Sequence, residues 1–262
     1  MNHIAALQSG TASTAERQWQ ARVDLAAAHR LAFRDGLHEG IFNHLTARVP
    51  GADGRYYQIP FGTHWSEVTA SCFMEVSYGG QVMAGEGLLE ESAFAIHAPI
   101  HAKVAAAEAV FHTHMPFASA LTRLEDPTIK PIGQTEVGLM GKVAYDTDYH
   151  GPATDESEGD RMVALFGANP GKSIMFMANH GILTIGSIAE AWDRLYYTER
   201  VAQVQLYAMW TGKPLKLLPD AVVEQTHKVF SRGKRYGDKS HAEHHFDALK
   251  RLLDRKDPDY RD

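Results

Sequence analysis

The residues best suited to chemistry lie in Val110-Phe111-His112-Thr113-His114-Met115-Pro116. Read as a strand, this segment sends residues two apart to one face. His112 and His114 would then present both imidazoles to one spot, which suits two ligands of a borderline cation such as Zn²⁺, Mn²⁺ or Co²⁺. Alone the pair is weak, because a chain with 15 histidines in 262 residues yields about one His-x-His spacing by chance. A pair of hydrogen-bonded histidines at a strand end is the competing reading. A second segment, Met177-Ala178-Asn179-His180-Gly181, ends an apolar strand, and a short apolar run follows it to Gly186. Glycine after His180 permits close approach of backbone or ligand. On its own, His180 reads as a turn histidine.

These groups need elements to hold them. Residues 1–14 read as a disordered tail, and apolar spacing from Ala15 to about Arg34 predicts a first helix, with Gly36 and Gly40 ending it. Ile41–Val49 and Tyr56–Ile59 read as strands joined at Pro50–Gly54. Phe73–Val76 and Gln81–Met83 read as a hairpin turning at Gly79-Gly80. A helix over Glu91–Ala107 precedes the strand Ala109–His114, and Pro116 opens a short helix to Thr122. An irregular stretch containing Gln134 and Glu136 leads to a helix over Asp155–Phe166, capped by Thr154, and a strand over Ser173–Met177. Ser187 and Glu190 have capping-box spacing for a long helix to about Trp210, and amphipathic helices near 221–232 and 240–254 follow. Strands and helices without strict alternation predict an α/β sandwich with a mixed sheet.

The segment Glu91–His114, the turn Asn179-His180-Gly181 and the ending Leu252–Arg261 together resemble the class II aldolase/adducin family. The resemblance covers roughly residues 15–225 as the core domain, leaving 226–262 as a C-terminal helical extension. It implies a three-layer α/β/α sandwich around a mixed, mostly antiparallel sheet. It also implies a homotetramer with active sites at subunit contacts. A third ligand comes with it: His112, His114 and His180 would hold one divalent metal per subunit, with zinc favoured and Mn or Co as alternatives. The implied chemistry is cleavage or formation of a C–C bond beside a carbonyl, epimerisation, dehydration or decarboxylation. A metal-stabilised enediolate or carbanion is common to these reactions.

The chain departs from the sugar-phosphate aldolases at one telling place. Those enzymes carry Ser-Ser-Glu at the start of the helix before His-x-His. The glutamate position here is Ala93, and the serine positions hold Glu91 and Ser92. Glu90, Glu91, Glu136, Tyr196 or Tyr197 would have to carry the proton instead, though Glu90 and Glu91 equally read as acids favouring a helix N-terminus. The phosphate pocket is altered too. A Gly-Asn pair reads Asn43-His44, and a Thr-Pro-Ser-Gly-like loop reads Ile59-Pro60-Phe61-Gly62. Asn43, His44, Gly62 and Ser92 are candidates for substrate binding, with His64 and Trp65 as further lining.

The expected function is therefore a metal-dependent lyase, aldolase or decarboxylase in type, acting on a non-phosphorylated hydroxy-, keto- or aromatic acid. An epimerase or dehydratase is the alternative, as is a non-catalytic adducin-like binding protein. His97 and His101, four apart on a helix, read as hydrogen-bonded or interface groups, and His241, His244 and His245 as an exposed face. A net charge of -6 argues against a nucleic-acid partner. The apolar runs are too short for a membrane helix. The lone Cys72 and the absence of an apolar leader over residues 1–13 lead to the expectation of a cytoplasmic protein.

Overall fold

The computed structural model of the chain describes residues 12–153, 155–233 and 236–262. Most of the tail and Thr154, the expected cap, thus lie outside the described residues. Helix α1 (Thr14–Arg34) opens on a capping box in which Ser13 and Glu16 each satisfy the other's backbone N–H. Eight strands follow in one sheet: β1 (His44–Arg48), β2 (Arg55–Gln58), β3 (Met74–Ser77), β4 (Val82–Ala84), β5 (Ala109–Thr113), β6 (Val143–Asp146), β7 (Ile174–Met177) and β8 (Ile182–Gly186). Their order is β4-β3-β2-β1-β5-β8-β7-β6, antiparallel except for β6 and β7. The helices between and after them are α2 (Glu91–Lys103), α3 (Pro116–Leu121), α4 (Gln134–Met140), α5 (Ser157–Ala168), α6 (Ile188–Trp210), α7 (Asp220–Phe230) and α8 (His241–Lys256).

The period-two alternation of the strands divides the core into layers. Phe111, Phe176 and Ile182 pack with α1, α6 and α8 on one face. Val110, Met175 and Leu183 pack with α2 and α5 on the other. The result is a three-layer α/β/α sandwich around a mixed, mostly antiparallel sheet. Residues 226–262 carry the end of α7, α8 and a 3-10 turn (Pro258–Arg261), and Phe246, Leu253 and Tyr260 are buried in the larger core cluster.

Four elements differ from their sequence reading. Gln134–Met140 is helical rather than irregular: it has no side-chain cap and a glycine within it, so packing on α6 and α7 holds it rather than local signals. β6 and β8 are strands where no strand was expected, each secured by pairing with β7. The helix read as Glu91–Ala107 ends at Lys103.

Candidate metal centre

β1, β5 and the β7–β8 turn converge at one end of the sheet. Register sets His44 directly opposite His112, and Thr113 opposite Ile182. The β7–β8 turn places Asn179 at φ 53° and is pinned where Asn179 N–H donates to the Thr122 carbonyl at 2.9 Å. This carries His180 to the pair from β5. The rings of His112, His114 and His180 lie 4.8–4.9 Å apart, centroid to centroid. One nitrogen from each falls within 4.8 Å of the others.

The hydrogen bonds around the triad decide which nitrogens face inward. His112 Nδ1–H donates to the Ile182 carbonyl at 3.0 Å, and His114 Nδ1–H donates to Glu39 at 2.5 Å. In the neutral rings this leaves a lone pair on each Nε2, and the two Nε2 atoms face each other at 3.1 Å. Burial first, then the neighbouring histidines, pushes His112 far below the usual histidine range. Burial also lowers His114 despite the opposing pull of Glu39, and brings His180 down to about 4. Two facing lone pairs with no proton between them repel; a cation between them removes the conflict. Tetrahedral zinc at ~2.0–2.1 Å from each nitrogen holds its ligands about 3.3 Å apart, close to this spacing. An anchored Nδ1–H opposite a free Nε2 is also the arrangement that orients histidine ligands in metal sites. The three residues fit a divalent cation.

Further polar groups border the triad. Asn43, at φ 76°, accepts the His114 N–H through Oδ1 at 3.0 Å. His44 stacks on His112 at 5.5 Å and directs Nε2 at Glu90, 3.0 Å away. Glu90 also accepts from Ser92 Oγ–H at 2.7 Å and from the Ala93 N–H at the start of α2. Burial would raise the Glu90 carboxyl, but His44, Ser92 and the Ala93 N–H together hold it at about 2. Behind His44, Thr46 Oγ1 bridges His97 Nδ1 at 2.7 Å and His101 Nε2 at 2.8 Å. These two histidines are buried hydrogen-bonded groups.

The other expected site residues stand elsewhere. Ala93 is fully buried and Glu91 exposed. Glu136 is buried on α4, close against Gly133. Tyr197 faces α8, its hydroxyl 3.4 Å from His241 Nε2, in an aromatic group that includes Tyr196 and His245. His245 is therefore packed on α6 and bonded to Asp193 at 2.7 Å, because α8 folds back there rather than presenting a bare face. Gly62 is exposed in the turn after Pro60, at φ 92°. Trp65 is core, edge-on to His29, and His64 bonds Ser66. Sequence reasoning missed Glu39, Tyr149 and Glu199. The Tyr149 ring lies 6.0 Å from His180. Glu199 accepts the N–H groups of Phe117 and Ala118, tying the chain just after His114 to α6. None carries a spacing signal, since each is brought in by tertiary structure.

Fold and site together describe an α/β sandwich with a histidine triad that could hold a metal ion, and the comparisons give its kind. The chain belongs to the class II aldolase/adducin family: the Class II Aldolase and Adducin N-terminal domain matches residues 23–206. A Caulobacter vibrioides protein named for the class 2 aldolases is 32% identical over 251 residues, covering 94% of both chains. A crystal structure of an aldolase II superfamily protein from Pseudomonas syringae superposes with a TM-score of 0.86 at 32% identity, covering 98% of this chain and 100% of that one. Rat alpha-adducin is 29% identical over 245 residues, 89% of this chain but 33% of its own length.

Proposed function

We propose that this protein is a divalent-metal-dependent lyase that cleaves a C–C bond, by retro-aldol reaction or decarboxylation, in a non-phosphorylated hydroxy-, keto- or aromatic acid. The observation that carries this reading is the triad His112, His114 and His180, with two Nε2 lone pairs facing each other at 3.1 Å. A cation held there supplies a Lewis acid that stabilises negative charge developing beside the broken bond. Three neutral imidazoles favour zinc over harder ions, with Mn and Co as alternatives. With Ala93 in place of a glutamate, the proton must move through another group. Beside the triad stand His44, oriented by Glu90, and the phenol of Tyr149. Both fit the role better than Glu91, Glu136 or Tyr197. Asn43, His44 and Ser92 are the substrate-binding candidates that border the centre; Gly62, exposed in the turn after Pro60, is the fourth candidate.

The absence of a phosphate follows from α2. A helix N-terminus attracts anions through its free N–H groups. Here Glu90 already occupies the Ala93 N–H with its own carboxylate and opposes a second anion. An epimerase or dehydratase would use the same centre and differ in the group that leaves. A non-catalytic adducin-like role is favoured by Ala93 and by the likeness to alpha-adducin. A homotetramer is part of the proposal; light scattering would then return four times the 29.0 kDa of the chain. Among the described residues no helix is long and apolar enough to cross a membrane. The single cysteine supports a reducing compartment such as the cytoplasm.

The deciding experiment is metal content by elemental mass spectrometry for the parent, His112→Ala and His180→Ala. One equivalent per subunit in the parent, lost in both variants, supports the lyase and justifies product analysis with hydroxy-, keto- and aromatic acids. A parent that stays empty after incubation with Zn²⁺, Mn²⁺ or Co²⁺ supports the binding-protein reading instead.

A further inference from the structure

A cavity of about 560 Å³ opens at the end of the sheet opposite the triad, where α2 and α5 finish and β6 and β7 begin. Ala109 pairs with Gly186 at that end, and Thr113 pairs with Ile182 at the triad's end. At about 3.3 Å per residue, the strand alone separates the two ends by roughly 13 Å. The volume is that of a small-molecule site, which spans about 300–1,000 Å³. Val104, Val163 and Phe166 give the cavity an apolar wall continuous with the core layer under α2 and α5.

The rest of the lining is basic. Lys103, Lys142, Lys172 and Arg194 line the cavity with a single carboxylate, Glu190, in a chain whose net charge is -6. Two of the cations are paired: Lys103 with Asp160 at 2.5 Å, and Arg194 with Glu190 at 3.5 Å. The other two are not. Lys172 Nζ donates to the Gly141 carbonyl at 3.0 Å, which supplies no charge. Lys142 makes no side-chain hydrogen bond or ion pair among the described residues. Asp193 and Glu190 act on it electrostatically. Both are committed elsewhere, Asp193 to His245 at 2.7 Å and Glu190 to the Ser187 N–H at 3.1 Å. The two lysines are neighbours, because Lys172 reaches the carbonyl just before Lys142 and the Ser173 N–H donates to the Lys142 carbonyl at 2.9 Å.

A dianion matches this surplus. A phosphate monoester carries a charge of about −1.5 to −2 at pH 7 and three strong acceptor oxygens. A single carboxylate would leave one lysine unmatched, and a metal cation would find only Glu190. We propose that this cavity binds a small organic phosphate monoester, with its phosphate on Lys142 and Lys172 and its organic part against Val104, Val163 and Phe166. The site is separate from the histidine triad and does not depend on how the triad is read.

Isothermal titration calorimetry with phenyl phosphate and with inorganic phosphate tests this on the protein as purified and after chelator treatment. Phenyl phosphate should bind about tenfold more tightly than inorganic phosphate, because its ring gains the apolar wall. Lys142→Gln and Lys172→Gln should each weaken phenyl phosphate about tenfold, the loss expected for one charge-assisted contact. Their melting temperatures should match the parent, since neither lysine forms an ion pair in the free protein. Lys228→Gln, which removes an exposed lysine paired with Glu224 on α7, should bind as the parent does. Four results would each overturn the proposal: no saturable binding at millimolar phenyl phosphate, equal affinities for the ester and inorganic phosphate, an affinity that survives both lysine substitutions, or binding that disappears with the chelator. The last would move the anion to the triad.

Discussion

A methyl group added at Gly181 would meet the Thr113 carbonyl oxygen at 2.6 Å, His114 Cδ2 at 2.7 Å and His112 Cε1 at 3.2 Å. Two of these are rings of the proposed metal triad and the third is sheet backbone, so none can move without displacing the others. Gly181→Ala should therefore empty the centre while the sheet remains, seen as loss of bound metal by elemental mass spectrometry beside an unchanged far-UV circular dichroism spectrum. Full metal content in that variant would mean the turn yields and the triad is not held by this contact. Glu39 acts at the same scale from the other side. Its carboxylate accepts His114 Nδ1–H and so keeps Nε2 free to ligate. Although Glu39 is itself exposed, Glu39→Gln should weaken metal affinity about 10–100-fold, the usual effect of removing such an orienting partner. Competition with a chelator measures this; an unaltered affinity would reduce the pair to a surface contact of little value.

Helix α2 carries Glu90 at its start and His97 and His101 in its body, so its seating sets the polar border of the centre. Pro99 sits inside the helix, which stays continuous, and cannot donate to the Ala95 carbonyl. Gly159 of α5 approaches at this point: a Cβ there would lie 2.4 Å from Ala95 O, 2.8 Å from Pro99 Cγ and 3.0 Å from Ile96 O. Gly159→Ala should force the two helices apart and destabilise the fold by about 1–3 kcal/mol, as overpacking does. Urea unfolding would register the loss, and an unchanged midpoint would show that the pair shifts freely. The same contacts explain what could be read without a structure. The capping box at Ser187 and Glu190, the helix over α1 and the His-x-His strand all rest on neighbours within a few residues. Glu39, Tyr149 and the strand β6 depend on partners far along the chain, and no local pattern marks them. Ala93 was legible as a departure and Glu90 as a candidate beside it, but the partner that turns Glu90 into the site was not. Glu90 is drawn into the site by His44, which reaches it across the sheet from β1.

Across the whole molecule, neutral buried histidines tie stability to pH. His29 lies on the buried face of α1, its Nδ1–H on the Leu25 carbonyl at 2.8 Å and its Nε2 buried with no partner. His101 lies in the opposite layer, bonded to Thr46 and to the Ala107 carbonyl. Burial is the main cause that lowers both, His29 to about 4 and His101 to about 3. The folded values fall below the unfolded value near 6.5, so the fold excludes a proton that the unfolded chain accepts. Their stabilising contribution is complete above about pH 6.5. It declines as pH falls from there toward each folded value. Glu90 has a linkage of the same sign in a more acidic window: held at about 2, it adds stability above the ordinary carboxylate range. That contribution is lost only in much stronger acid, so Glu90 does not contribute to a decline between pH 6.5 and 5. Each buried histidine can contribute up to about 1.4 kcal/mol per pH unit in that window. Urea unfolding of chelator-treated protein at pH 7, 6 and 5 should show a falling midpoint. His29→Phe, which keeps a ring against Trp65, should flatten the fall by one histidine's share. A parent midpoint independent of pH would mean that these histidines find acceptors when protonated. An unaltered slope in His29→Phe would move the linkage to the other layer, where His101 is held between sheet and α2.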